Sequence, residues 1–307
     1  WGNGEATWTD HTFFHISSDL KSWTEQLVTY EPGEQFSEHE WTREGYTHVN
    51  EAYAGSNLEI LPDGDIIFPM GGNVVACCRI LGVEVNDIFP SCPHLMRGLI
   101  VVRGRWNGKG YDLEPAKPVV ISDLKSSRGC DEPVVYPLPG GRIIVVFRGS
   151  NVISEGFQTR IAKGTPAHKW FCCSDDGGKT FTEPVQWSFD DGEAFHSPAS
   201  ISYFLKSRKN NKIYWFGNIT GPDTYGNRPR YPLTFAQVDE NSGLLLRDTF
   251  QIVDDRDSAS ESADVQLSNF ALLDDKETGI IELYVTKLGA DREDEWRSDA
   301  YRYLIEV

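Results

Sequence analysis

The sequence predicts an all-β fold: four-stranded antiparallel sheets repeated around an axis. Three observations carry that prediction. The composition has 28 Gly and 16 Pro against two Met, with 12% aromatic residues, which is the profile of a chain rich in tight turns and aromatic cores. One layout recurs about every seventy residues. No long stretch of helical periodicity interrupts it.

In each repeat a polar lead runs into an apolar strand, a tight turn and a second strand rich in Ile, Val and aromatics. The first runs from Asn50 to Leu61, turns at Pro62-Asp63-Gly64 and resumes at Ile66. The second runs from Cys130 to Leu138, turns at Pro139-Gly140-Gly141 and resumes at Ile143. The third runs from Phe195 to Leu205, turns near Asn210-Asn211 and resumes at Ile213; the fourth runs from Val265 to Leu273, turns through Asp274 to Gly279 and resumes at Ile280. Turns at Gly64, Gly141, Asn211 and Gly279 stand 77, 70 and 68 residues apart, an even period that an irregular sandwich would not keep. A second hairpin follows in each: Val101–Trp106 with Val119–Ser122, the strands flanking Ser174–Phe181, and Leu233–Val238 with Thr249–Val253. Four strands per repeat make a propeller blade.

The expected domain is one β-propeller over residues 1–307, with blades near 50–125, 130–190, 195–255 and 264–307. Residues 8–30 belong to a further blade, through the hairpin Thr12–Ile16 and Gln26–Tyr30 around Ser17–Trp23. Five blades, one of them partial, is the expected count; six is the alternative, and upstream sequence is expected to complete the first.

Net charge limits the partners. At −17 the chain would repel phosphate backbones, which excludes a nucleic-acid partner. No apolar run approaches the roughly 20 residues of a membrane span, so no membrane partner is expected. The chain opens at Trp1 with no visible signal peptide, and a secreted or periplasmic monomer is the expectation. Six cysteines include the adjacent pairs Cys77-Cys78 and Cys172-Cys173. Neighbours on a strand point to opposite faces, so each pair should split between two surfaces. Cys77 or Cys78 bridging to Cys92 and buried free thiols are both open. No zinc-ligand spacing occurs, and no metal or cofactor is expected, although scattered Asp residues would permit a loop-bound Ca²⁺.

The turn Ser174-Asp175-Asp176-Gly177-Gly178-Lys179-Thr180-Phe181 gives each residue a job. Asp176 accepts backbone N–H groups, Gly178 takes a positive φ, Ser174 and Thr180 tie the strand ends, and Phe181 drops onto the sheet. It resembles the Asp-box turn of sialidase-like propellers at every defining position. Together with Phe147-Arg148-Gly149-Ser150 and the loop Asn227-Arg228-Pro229-Arg230-Tyr231-Pro232, it makes the chain similar to the sialidase superfamily of carbohydrate-active enzymes over most of its length. The turn Ser-x-Asp-Leu-x-x-Trp at Ser17–Trp23 is similar to one in five-bladed arabinanases and fructosidases. The resemblance implies arginines that bind a substrate carboxylate, a Tyr–Glu nucleophile pair and an Asp acid. Arg148, Arg228 or Arg230, Tyr231 and Glu132 are the counterparts by chemistry. The Arg-Ile-Pro motif of sialidases is absent.

Function in a propeller collects where the innermost strands begin, so the polar leads matter most: Glu51, Asp131 and Glu132, His196, Asp264 and Gln266. Glycoside hydrolysis needs one protonated carboxyl to serve the leaving oxygen and one ionised carboxylate as base or nucleophile. Glu132 is the first choice for acid, with Asp131 or Glu51 as partner. Arg148, Arg228 and Arg230, with Gln266, are the binding set, because guanidinium forks grip carboxylates of acidic sugars. Arg228 and Arg230 pairing with Asp254, Asp255 or Asp257 is the structural alternative. The expected activity is exo-acting glycoside hydrolysis of an oligosaccharide or polysaccharide. A uronate-specific polysaccharide lyase using His196 and Tyr231, with Arg230 or Arg148 against the uronate, is the alternative enzyme; a glycan- or protein-binding propeller is the non-enzymatic one. Trp8, Trp41, Trp106 and Trp170 are candidates for stacking on sugar faces.

Overall fold

A computed structural model describes residues 10–32, 49–90, 96–153 and 159–307. The hairpin β1 (Phe13–Ile16) and β2 (Thr24–Leu27) is followed by four sheets. The first contains β3 (Ala52–Ala54), β4 (Glu59–Ile60), β5 (Ile66–Asn73), β6 (Arg97–Trp106) and β7 (Tyr111–Pro115), in the order β3-β5-β6-β7 with β4 also on β5. The second has β8 (Asp131–Pro137), β9 (Ile143–Arg148), β10 (Lys169–Ser174) and β11 (Val185–Gln186). The third has β12 (Tyr203–Lys206), β13 (Ile213–Asn218), β14 (Leu233–Gln237) and β15 (Gln251–Asp254); the fourth, three-stranded, has β16 (Phe270–Asp274), β17 (Ile281–Thr286) and β18 (Ala300–Ile305). Every pairing within these sheets is antiparallel. The four sheets are the blades of a propeller arrangement.

Period-two alternation explains how the blades stack. On β9, Ile144 and Val146 enter the core shared with the third sheet, while Ile143, Val145 and Phe147 enter the core shared with the first. On β13, Ile213 and Trp215 face the second sheet and Tyr214 and Phe216 the fourth. Central strands are therefore apolar on both faces and read as unbroken hydrophobic runs. Trp187, fully buried, anchors the core between the second and third sheets; its ring meets Trp215 edge-on at 5.2 Å and donates Nε1–H to the Gly243 carbonyl at 3.0 Å.

Turn chemistry is visible at Ser174–Phe181. Asp176 Oδ1 accepts from the N–H groups of Lys179 and Thr180, each at 3.0 Å, and Oδ2 accepts from Thr180 Oγ1 at 2.6 Å. Gly178 stands at φ +88°, and its N–H donates to Ser174 Oγ at 2.9 Å. The first hairpin repeats the device: Asp19 Oδ1 accepts from the N–H groups of Lys21 and Ser22.

Two expectations are corrected. The fourth strand of the first blade is Tyr111–Pro115, paired with β6, and Val119 instead makes an isolated bridge to Leu99. Residues 74–81 form a helix, α1 (Val74–Leu81), followed by the short α2 (Val85–Ile88). Asn73 caps α1 by accepting from the Val75 and Ala76 N–H groups, and Gly82 at φ +69° closes it. Cys77 and Cys78 consequently both lie buried on a helix, whereas the strand pair does split, Cys172 buried and Cys173 half-exposed. The described cysteines are free thiols; Cys92, Trp8 and Trp41 lie outside the described residues. No helix among the described residues is long and apolar enough to cross a membrane.

Replacing Trp187 by Ala removes the largest ring of an interblade core and strands the Gly243 carbonyl. The expected cost is about 3–5 kcal/mol, read as a lower denaturant midpoint in equilibrium unfolding.

Candidate active site

Asp131 and Glu132 open β8, the innermost strand of the second blade. The pairing with β9 slips between Asp131 and Val134, and Glu132 adopts φ +42°. A non-glycine residue in that region costs about 1–3 kcal/mol and persists only where its surroundings impose it. Here Tyr53 imposes it: its hydroxyl donates to Asp131 Oδ1 and accepts the Glu132 N–H at 2.8 Å.

Arg148, the last residue of β9, closes on the same pair. Its Nε and Nη2 donate to Asp131 Oδ2 at 3.1 and 2.8 Å, and its Nη1 donates to the Ala199 carbonyl at 3.2 Å. Nη1 also lies 3.0 Å from Glu132 Oε2, but outside hydrogen-bonding geometry, so that buried oxygen has no hydrogen-bond partner. The two carboxyls consequently part. Burial would raise Asp131, but Arg148 and Arg128, with the Tyr53 and Arg148 hydrogen bonds, hold it below the usual carboxylate range. Burial pushes Glu132 up, Asp131 adds to the push, and Arg148, Lys169 and Arg230 only partly offset it.

Arg230 completes the cluster from the loop between β13 and β14. Its Nη2 donates to the Ala199 carbonyl at 3.2 Å and its Nη1 to Gln266 Oε1 at 2.9 Å, while its buried Nε has no hydrogen-bond partner. No carboxylate among the described residues stands within ion-pairing distance of it. Burial lowers its pKa, as does Arg148, while Glu132 opposes them.

The remaining sequence candidates fall elsewhere. Glu51, fully buried, has Oε1 on Arg97 at 3.0 Å and Oε2 on Asn73 at 2.9 Å, so both oxygens are engaged. Arg97 also holds Asp10 at 3.0 Å and lies 5.6 Å from the Tyr53 ring centre, which links this second cluster to the first. Arg228 pairs with Asp264, not with Asp254, Asp255 or Asp257, and Arg230 takes Gln266 instead of any of them. Tyr231 packs on the core between the third and fourth blades, with Arg256 5.7 Å from its ring centre. His196 stacks on His168 at 5.3 Å, and its buried Nδ1 has no hydrogen-bond partner. No described contact joins His196 to Tyr231. Trp170 is buried in the core and Trp106 pairs with Tyr111 on the outer hairpin.

Two residues of the cluster carry no sequence signal. Lys169 is fully buried behind Arg148, its cross-strand partner. Tyr203 is close enough to Glu132 for that charge, after burial, to raise its pKa. Both sit at strand starts that look like ordinary sheet positions. Among the described residues no three His, Cys, Asp or Glu side chains gather as a metal site.

No family model matches the chain, and no curated protein does. Solved structures do. A protein of unknown function from Dyadobacter fermentans superimposes with a TM-score of 0.55 at 14% identity, over 95% of this chain and 63% of that one. NanB sialidase from Streptococcus pneumoniae gives 0.54 at 12% identity, over 96% of this chain and 35% of that one. A Hadza microbial sialidase gives 0.51 at 11% identity, over 92% and 44%. The chain thus spans well under two thirds of each sialidase. At these identities the likeness is one of fold: the chain is a sialidase-like propeller.

The two arginines differ in what they leave behind. Arg148→Met strands the buried Asp131 carboxylate and should cost about 3–5 kcal/mol in equilibrium unfolding. Arg230→Met strands no carboxylate and should cost only about 1 kcal/mol.

Proposed function

We propose that the protein is a glycoside hydrolase acting on an acidic sugar, with Glu132 as proton donor, Asp131 as the ionised carboxylate, and Arg148 and Arg230 gripping the sugar's carboxylate. One observation carries this reading: two adjacent carboxyls whose surroundings drive their proton affinities apart, beside a guanidinium with no acid of its own. A carboxyl whose proton affinity is raised by burial and by a neighbouring carboxylate is suited to serve a leaving oxygen. Asp131, fixed by Arg148 and Tyr53, keeps its charge and favours the positive charge that grows on the sugar ring. Arg230 donates to neutral acceptors only, so its charge is available to an incoming anion. Gln266 orients Arg230, and Tyr203 is the tyrosine coupled to Glu132.

On this reading the residues 1–307 form one propeller domain, the β1–β2 hairpin is the outer edge of a fifth blade, and the Ser174–Phe181 turn is of the Asp-box kind. The sialidase neighbours agree with a carbohydrate substrate, though their fold alone does not transfer their sugar.

The test is turnover of aryl glycosides and uronate polymers by wild type, Glu132→Gln and Asp131→Asn, following reducing ends and near-ultraviolet absorbance. Glu132→Gln should lower kcat about 10²–10⁴-fold. Because the Glu132 pKa is raised and the protonated form is active, wild-type kcat should fall as pH rises through that pKa, and this limb should be missing from the residual activity of Glu132→Gln. An absorbing, unsaturated product that survives Glu132→Gln would replace the hydrolase with a lyase centred on His196. Sugar binding without turnover would replace it with a binding propeller.

A further inference from the structure

Three consecutive carbonyls, those of Pro198, Ala199 and Ser200, are each capped by a cation. Lys169 Nζ donates to the Pro198 carbonyl at 3.5 Å and to the Ser200 carbonyl, and Arg148 and Arg230 share the Ala199 carbonyl between them, each at 3.2 Å. The turn is therefore the common seat of the two guanidinium groups, and Lys169 ties the carbonyls on either side of their shared one. A fully buried lysine is rare unless paired, and among the described residues no carboxylate lies within ion-pairing distance of this one.

We propose that Lys169 is a positioning residue for an anionic ligand: by clamping the 198–200 turn and adding a third positive charge under Arg148 and Arg230, it sets their grip on a substrate carboxylate. This deepens the acidic-sugar reading and rests on it. The cations outnumber the carboxylates they face, since Arg148, Arg230 and Lys169 stand against Asp131 and Glu132. Ser200, also fully buried, has a hydroxyl with no hydrogen-bond partner beside the clamp. The charged groups around the amine are Glu132 on β8, Arg148 on β9 and Arg230 in the 219–232 loop. Burial pulls Lys169 down to about 7, Arg148 and Arg230 adding to the effect and Glu132 opposing it. The third charge is consequently present in mildly acid solution and fades as pH rises, while a neutral amine can still donate to the carbonyls.

The experiment is calorimetric titration of glucuronic acid and N-acetylneuraminic acid, with glucose as the uncharged control, from pH 6 to pH 9. It compares wild type, Lys169→Gln, which keeps N–H donors without charge, and Lys169→Met, which keeps neither. Thermal unfolding of each variant confirms that it is folded. Wild-type affinity for one of the acids should fall roughly tenfold across the range, as expected for losing one unit charge near the ligand. Lys169→Gln should bind at the weaker, alkaline level at every pH, and Lys169→Met more weakly still. If Lys169→Met does not fold, the comparison of wild type with Lys169→Gln decides alone. A pH dependence as large in Lys169→Gln as in wild type belongs to another group, such as Glu132 or the neighbouring His168, and overturns the proposal. Equal affinity in all forms overturns it while leaving the acidic-sugar reading intact. Wild type binding neither acid at any pH sinks both.

Discussion

The ion pair of Arg148 with Asp131 is the constraint on which the centre of the molecule depends. Arg148 comes from β9 and Asp131 from β8, in one blade, but neither is satisfied within it. Tyr53 reaches Asp131 from the first blade, and the Ala199 carbonyl, preceding the third blade, takes another Arg148 N–H. Three blades thus meet through one ion pair. A buried pair gains little over an apolar contact, because desolvation consumes most of its attraction. What it supplies is position. The donors of Arg148 have few acceptors to choose from, and the blades register around them.

Glu132 stands in the space that this arrangement leaves. Its backbone is in a region that glycine favours, the sheet register slips beside it, and one buried carboxylate oxygen lacks a hydrogen bond. Each of these violates a local rule that the rest of the sheet obeys. Such violations gather where structure is held for a purpose other than stability. The contrast with Glu51 is instructive, since that carboxylate is more deeply buried yet has both oxygens engaged by Arg97 and Asn73. Burial alone does not set Glu132 apart; burial without full pairing, beside a second carboxylate, is what makes it the candidate acid.

The architecture was legible because its signals are local and repeated. Turn residues, a period near seventy and alternating apolar strands each report directly on backbone geometry. The helix at Val74–Leu81 was not, because Val-Val-Ala-Cys-Cys reads as a continuing strand and only the Asn73 and Gly82 caps mark the change. At the site, the strand leads pointed to Asp131 and Glu132, and the arginine-rich loop to Arg230. The chain does not say which carboxylate a guanidinium will lock, so Glu51 and Asp131 look alike on paper. Arg228 and Arg230 are likewise indistinguishable until one turns outward to Asp264 and the other inward to Gln266. Lys169 shows the limit most clearly. Its role comes from two carbonyls about thirty residues away, which no pattern around Lys-Trp-Phe announces.

A cationic centre inside a chain of net charge −17 separates two kinds of anion. A nucleic acid spans many Debye lengths and would meet the whole negative surface. A single carboxylate on a sugar, once seated within a few ångströms of Arg148 and Arg230, is dominated by charges inside one screening length of about 10 Å. The negative exterior slows its approach but does little to its bound state. On the acidic-sugar reading, selectivity for a small anion would follow from where the charges lie, with Arg148, Arg230 and Lys169 held by the carbonyls of residues 198–200.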